Sequence, residues 1–194
     1  MGNDEFPAFS VLLSVYKDEE PAFLDQALES IEDQTVKPNQ IVAVVDGPIG
    51  SELDAVLKEH QNQNTDIYTI VRSPKNQGLG LALRMGTEYC KYDWIARMDS
   101  DDVSVPNRFE LQLKAVVNNP QLAIVGGQID EFTGEVNHIT GKRLVPTGQE
   151  DIYQFVKALC QILLMGHFRR RPVLALGAAF FQLPFPFDAI GSGR

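Results

Sequence analysis

The stretch FSVLLSVYKDEEPAFLDQALESIEDQ, Phe9 to Gln34, changes period part-way along, and that change decides the fold. Phe9–Tyr16 is a nearly continuous apolar run, which reads as a strand buried on both faces. Beyond a polar turn, Phe23, Leu24, Ala27, Leu28 and Ile31 recur at helical intervals with acids between them. That spacing predicts an amphipathic helix over 21–34. Pro21 suits its first turn, where a backbone N–H has no partner to lose. A buried strand running straight into an amphipathic helix is the repeating unit of a parallel sheet covered by helices.

The alternation continues along the chain. QIVAVVDG (40–47) is a second buried strand, closed by Asp-Gly-Pro. SELDAVLKEH (51–60) is a helix with Ser51 in the N-cap role. DIYTIVRS (66–73) is a strand, PKNQG a loop and LGLALRMGTEYC (79–90) a helix. DWIARM (93–98) is a strand. VPNRFELQLKAVVNN (105–119) is a helix that turns Phe109, Leu113, Val116 and Val117 inward. LAIVGGQIDEF (122–132) is a fifth strand, whose glycine pair predicts a bulge or close approach. The order β-α-β-α-β-α-β-α-β predicts one α/β domain, a mostly parallel sheet with helices on both faces. Sheets of this kind bind ligands at the carboxyl ends of their strands.

The 194 residues are 44% hydrophobic and 22% charged, with a formal net charge of -9. Nucleic acid is therefore not an expected partner. Cys90 and Cys160 stand far apart with no metal-ligand spacing, which predicts two buried thiols in a reducing compartment. The first residues, MGNDEFPAF, have neither a basic region nor an apolar signal core. Phe6 stands where a myristoylation site needs Ser or Thr. No apolar run reaches the ~20 residues that span a bilayer. Cytoplasmic location is expected. The run Arg169–Arg171 is the one feature that points toward an anionic membrane face.

Polar residues follow four of the predicted strands: Ser14, Tyr16 and Glu19; then Asp46; then Asn76 and Gly78; then Asp99, Ser100, Asp101 and Asp102. In WIARMDSDD (94–102) three carboxylates crowd into four residues and repel one another unless something positive joins them. Asp99 and Asp101 at i and i+2 can approach one hard cation, for which oxygen ligands suit Mg²⁺ or Mn²⁺. Two other readings stand beside this one. An EF-hand count from Asp99 lacks the glycine at position six, where Ser104 stands. Alternatively the acids favour the dipole of the next helix, with Asp102 or Ser104 as its cap. NQGLG is either a glycine turn or a loop offering amides to a phosphate or ribose. Asp46 is either turn chemistry or an acceptor for a base N–H. His60, His138 and His167 show no ligand spacing.

Four pieces in order, FSVLLSVYKDEEPAFLDQALESIEDQT, QIVAVVDGP, NQGLGLALRMG and WIARMDSDDVSVPNRFELQ, resemble the inverting family 2 glycosyltransferases of GT-A fold. The likeness covers Phe9 to Phe132 and is greatest to the bacterial branch that builds capsular and exopolysaccharides. It implies transfer of a sugar, from a UDP-linked donor, to a glycan or lipid-linked glycan acceptor, assisted by Mn²⁺ or Mg²⁺. It implies further that Ser14, Tyr16 and Glu19 flank base and ribose, that Asp46 reads the base, and that Asn76 and Gly78 lie near the nucleoside. Asp99-Ser100-Asp101 is similar to the DXD motif, with Asp99 toward the ribose and Asp101 on the metal.

The family's general base comes from a later Glu-Asp motif, and none follows here. Glu150-Asp151 falls too early and suits a helix start in EDIYQFVKALC. These features suggest a nucleotide-sugar-binding GT-A domain over 1–160 and an atypical tail over 161–194, shortened or altered in frame. No catalytic base is assigned. The rival readings are a non-catalytic nucleotide-sugar or metal binder lacking the acceptor half, and a nucleotidyltransferase, whose Gly-rich basic signature SVYKDEEP lacks. The oligomeric state is left open.

Overall fold

The computed structural model describes residues 6–144, 146–148, 150–151, 168–170 and 179–186. Strands β1 (Phe9–Val15), β2 (Gln40–Asp46), β3 (Tyr68–Ser73) and β4 (Trp94–Arg97) alternate with helices α1 (Pro21–Glu32), α2 (Ser51–Gln63) and α3 (Leu79–Tyr89). After α4 (Arg108–Asn118) come β5 (Leu122–Phe132), β6 (Ile139–Arg143), β7 (Phe168–Arg170) and β8 (Ala179–Pro186). Along the sheet the order is β3-β2-β1-β4-β7-β5-β6, with β8 also paired to β5. The first four strands are parallel. β7 lies antiparallel between β4 and β5. The predicted helix EDIYQFVKALC lies outside the described residues beyond Glu150 and Asp151.

Each of β1–β4 feeds two cores. Val11, Leu13, Val15, Ile41, Ala43 and Val45 face α1, α2 and α4, and meet Leu24, Leu28, Leu57, Phe109 and Leu113. Leu12, Val42, Val44, Val71 and Ile95 face α3. This is the two-sided burial that the apolar strands predict. Each such aliphatic side chain contributes about 1.5–3 kcal/mol when fully buried. β5 matches the predicted 122–132, and its pairing with β8 shifts register beside the glycine pair.

Three local expectations are corrected. Phe23 and Val117 are exposed, because each lies at the margin of its helical stripe. Ser51 is the first helical residue and Gly50 holds the cap position with no side-chain bond. Neither Asp102 nor Ser104 caps α4; the cap position is Asn107. The orphan N–H of Phe109 is instead met by Gln34 Oε1 at 3.1 Å. Gln34 is buried just past the C-cap of α1 and also donates to Val105 O at 2.7 Å. Thr35 N–H donates to Pro106 O, and Ser104 N–H to Ser30 Oγ. The segment after the acid cluster therefore hangs from α1, which fixes where the acids sit.

Candidate functional site

Register places the candidate residues on one edge. β1 lies between β2 and β4, with Val15 opposite Val45 and Leu12 opposite Arg97. All three strands run the same way, so Ser14 and Tyr16, Asp46, and the acid loop emerge at the same carboxyl rim. Met98 N–H continues the ladder onto Leu12 O at 3.0 Å, holding the acid loop close to β1.

Asp46 closes one corner of the rim. It is 2% exposed. Its Oδ1 accepts from Gln77 N–H at 2.9 Å and its Oδ2 from Gly78 N–H at 2.8 Å. Gly78 precedes α3 with φ +88°, a left-handed conformation that favours glycine. Gly47 has φ +90°, and a Cβ there would meet Asn76 N at 2.5 Å. Two loops thus press together at Gly47 and are tied by one carboxylate. Of the two readings open for this loop, a glycine turn or amides offered to a phosphate or ribose, the turn describes Gln77 and Gly78, whose N–H groups are taken by Asp46. Asn76 and Gly78 are themselves exposed on the rim.

The acid loop forms the other corner. Arg97 grips Asp99 with both terminal nitrogens: Nη1 to Oδ2 at 2.7 Å, and Nη2 to Oδ1. Ser100 Oγ donates to Glu19 Oε1 at 2.8 Å, joining the β1–α1 loop to the acids. Beneath them lies Arg108, 0% exposed. It donates to Arg97 O at 2.8 Å and Ser104 Oγ at 2.9 Å, and its guanidinium approaches Gln112 and Met98. Burial pushes Asp99 above the usual carboxylate range, with Arg97 pulling down and Asp101 up. Burial, then repulsion from Asp99 and Asp101, pushes Asp102 up to about 7, against Arg97 and Arg108. Among the described residues, Asp99 and Asp102 are crowded by Asp101 and eased by Arg97 and Arg108.

Residues 10–177 match the family model for glycosyl transferase family 2. The chain belongs to that family. Among its relatives is the amylovoran biosynthesis glycosyltransferase AmsE of Erwinia amylovora, 41% identical over 77% of this chain and 54% of the relative. Another, in Escherichia coli, is a UDP-Gal:alpha-D-GlcNAc-diphosphoundecaprenol beta-1,3-galactosyltransferase, 37% identical over 67% of this chain and 46% of the relative. A mannosyltransferase from Pyrobaculum calidifontis, solved with GDP-Man and Mn²⁺, superposes with a TM-score of 0.57 at 14% identity, over 79% of this chain and 39% of that one. That likeness establishes the GT-A fold. The chain spans about half the length of the curated relatives it matches.

For a family 2 member the acid corner fits a divalent cation by its chemistry: hard oxygen donors whose mutual repulsion a cation would relieve. Among the described residues no three His, Cys, Asp or Glu side chains converge as a ready-made metal cage. A cation would therefore rest on one or two carboxylates and complete its shell with ligand oxygens or water, as Mg²⁺ commonly does. The EF-hand reading gains no such cage, and a strand, not a helix, precedes its loop.

Sequence reasoning missed Arg97, Arg108 and the Ser100–Glu19 link. Arg97 had a signal, since residues two apart on an extended chain share a side. His60 is a core histidine. It is 4% exposed, and its ring nitrogens lie 3.0 Å from Glu32 Oε1 and 2.8 Å from Asp25 Oδ1. Cys90 is buried, and its thiol donates to Gly86 O at 3.4 Å. Among the described residues no helix is long and apolar enough to cross a membrane.

Proposed function

We propose that this chain holds the donor half of a transferase that moves a sugar from a UDP-linked donor to a glycan or lipid-linked glycan acceptor in polysaccharide biosynthesis. The observation that carries this is the acid loop at the carboxyl end of β4, tied through Ser100 to Glu19 beside β1 in a family 2 chain. Two relatives add to it, one named for amylovoran biosynthesis and one for UDP-Gal transfer to a diphosphoundecaprenol acceptor.

In this reading Ser14, Tyr16 and Glu19 flank base and ribose. Asp46 orders the Asn76–Gly78 loop through its two amide bonds and offers its remaining lone pairs to the base. Asp99 accepts from the ribose, and Asp101 holds Mn²⁺ or Mg²⁺. A bound cation would supply charge neutralisation for the diphosphate leaving group. The chain's own part is to bind and orient the donor; the general base is not assigned. The donor domain is proposed as 1–160, with 161–194 as a distinct tail. The reaction would take place at the inner face of the membrane.

Calorimetric titration of UDP and UDP-sugars, with and without Mn²⁺, tests the donor site. Metal-dependent UDP binding is expected, and Asp101→Asn should weaken it by more than about tenfold, since ligand-sphere changes cost at least that much. UDP binding that ignores the metal, or none, would overturn the reading. Binding with neither donor hydrolysis nor transfer to a lipid-diphosphate acceptor would favour the non-catalytic binder.

A further inference from the structure

We propose that the outer face of α3 pairs with the same face of a second copy of this chain, the two helices running antiparallel about a two-fold axis. The inference does not depend on the donor-site reading.

The inner face of α3 is fixed. Ala82, Leu83 and Gly86 are buried, and α3 packs on β1, β2 and β3. A Cβ on Gly86 would meet Leu12 Cδ1 at 2.4 Å and Val44 Cγ2 at 2.6 Å. The helix therefore lies hard against the sheet and cannot roll to hide its other side. On that side Leu81 and Tyr89 remain 50% exposed, with Met85 half-buried between them. Steps of four residues set these three on one stripe. Arg84 and Glu88 are exposed and form a second row beside it. A solvated helix face is normally polar, whereas contiguous exposed apolar side chains rimmed by charge mark a contact surface.

The charges name the partner. Acids four residues ahead of bases pair along their own helix in this chain, as Asp54 does with Lys58 and Glu110 with Lys114. Arg84 and Glu88 stand in the reverse, less favourable order. Among the described residues neither side chain makes an ion pair. A two-fold axis across the middle of α3 sets Arg84 opposite Glu88 of the second copy, and Glu88 opposite its Arg84. The same axis sets Leu81 opposite Tyr89 of the second copy, and Met85 opposite its own twin. An interface on a two-fold has to be complementary to itself, and these two rows are. An anionic bilayer would instead repel Glu88 from the middle of the face. One helix face buries less than the ~800 Å² a side of a standard stable interface, so the pair is weak and reversible.

The test is sedimentation equilibrium of the 194-residue chain. A reversible monomer–dimer equilibrium is expected at chain concentrations up to ~500 µM, the range in which a weak micromolar pair is populated. Leu81→Gln should weaken the dimer by about tenfold, as expected for losing two buried leucines from one small interface. Arg84→Glu chains would set acid against acid, and Glu88→Arg chains base against base. Each alone should dimerise several-fold more weakly than the native chain, as two exposed ion pairs give way to two repulsions. Mixed in equal amounts, the two variants should recover the native affinity, because each then meets its opposite charge. All three changes fall on exposed side chains, so the fold is kept. A native chain that stays monomeric across this range overturns the proposal. So does a dimer indifferent to Leu81→Gln, or a mixture no tighter than its separate variants. Monomers that bind vesicles of anionic phospholipid, and lose that binding on Leu81→Gln, would assign the face to a membrane and overturn it as well.

Discussion

Asp46 and Asp102 are both buried carboxylates on the same rim, at 2% and 6% exposure, and the protein treats them in opposite ways. Asp46 is satisfied by two backbone N–H groups of one loop. Asp102 shares its corner with Asp99 and Asp101, is opposed by Arg97 and Arg108, and is pushed up to about 7. The first corner is closed by the chain's own donors and behaves as a joint. The second is open in the sense that its acids still repel one another, which a cation would relieve. A third group of acids, Asp25 and Glu32 around His60, belongs with the closed kind, since His60 bonds both and, when protonated, cancels one of their two charges.

The largest effect should come from taking a cation out of the open corner. Arg108→Met removes a fully buried guanidinium and leaves Asp102 and Asp99 with one fewer counter-charge. Breaking a buried charge arrangement from one side costs roughly 3–5 kcal/mol. Urea denaturation in EDTA at pH 8 measures it. Adding Asp102→Asn should recover a substantial part, because the acid left uncompensated is then neutral. No recovery would mean that Arg108 serves only its backbone and Ser104 contacts, and the two corners would not differ in charge balance.

His60 sharpens the comparison through pH. Its hydrogen bond to Glu32, helped by that to Asp25 and opposed by burial, raises its pKa to about 9. A raised histidine pKa adds stability that is complete below about 6.5 and is lost as pH climbs through about 9. A shift of that size corresponds to about 3 kcal/mol. Stability in urea should therefore fall between those limits, and His60→Gln should flatten that slope while lowering stability at pH 6. An unchanged slope in the variant would remove this cluster from the closed class.

Next in size is the joint itself. Asp46→Ala leaves the Gln77 N–H without its acceptor and the Gly78 N–H with only Asn76 Oδ1 at 3.2 Å. Hydrogen bonds to a charged group are worth about 1.5–3 kcal/mol each, less whatever water recovers at the exposed loop. A net loss of about 2 kcal/mol is expected, with faster amide exchange at Gln77 and Gly78. Unchanged protection there would mean that the loop is held by Gly47 packing and the Ser73 bonds to Lys75 O and Gln77 Nε2.

How much of this could be read from the chain depends on the kind of residue. Strands β1 and β2 are legible because they are apolar on both faces, and burial there needs nothing beyond composition. The ends of helical stripes are not, as Phe23 and Val117 show: position on the stripe, not residue type, decides exposure. The cap of α4 was illegible because Gln34 supplies it from 75 residues away. The acids of 99–102 announce a site, since repulsion is visible in any sequence. Of their partners, Arg97 shows only in its spacing two residues before Asp99, and Arg108 not at all, because an arginine in sequence reads as surface until the fold brings it under carboxylates.

The smallest effect tests whether the open corner is tied to its surroundings at all. Ser100 Oγ donates to Glu19 Oε1 at 2.8 Å, the bond joining the β1–α1 loop to the acid loop. Ser100 is 3% exposed, so its hydroxyl has little water to fall back on. Ser100→Ala should cost about 1 kcal/mol of stability, the usual net value of one hydrogen bond. If that bond only braces the fold, the loss ends there. If it also sets Glu19 against a donor, metal-dependent UDP affinity should drop several-fold at a temperature where the variant is fully folded, and Glu19→Gln, which keeps an oxygen acceptor, should drop it less. Equal UDP affinity in all three chains would show the two loops to be mechanically joined but functionally separate, and would confine the open corner to Asp99 and Asp101.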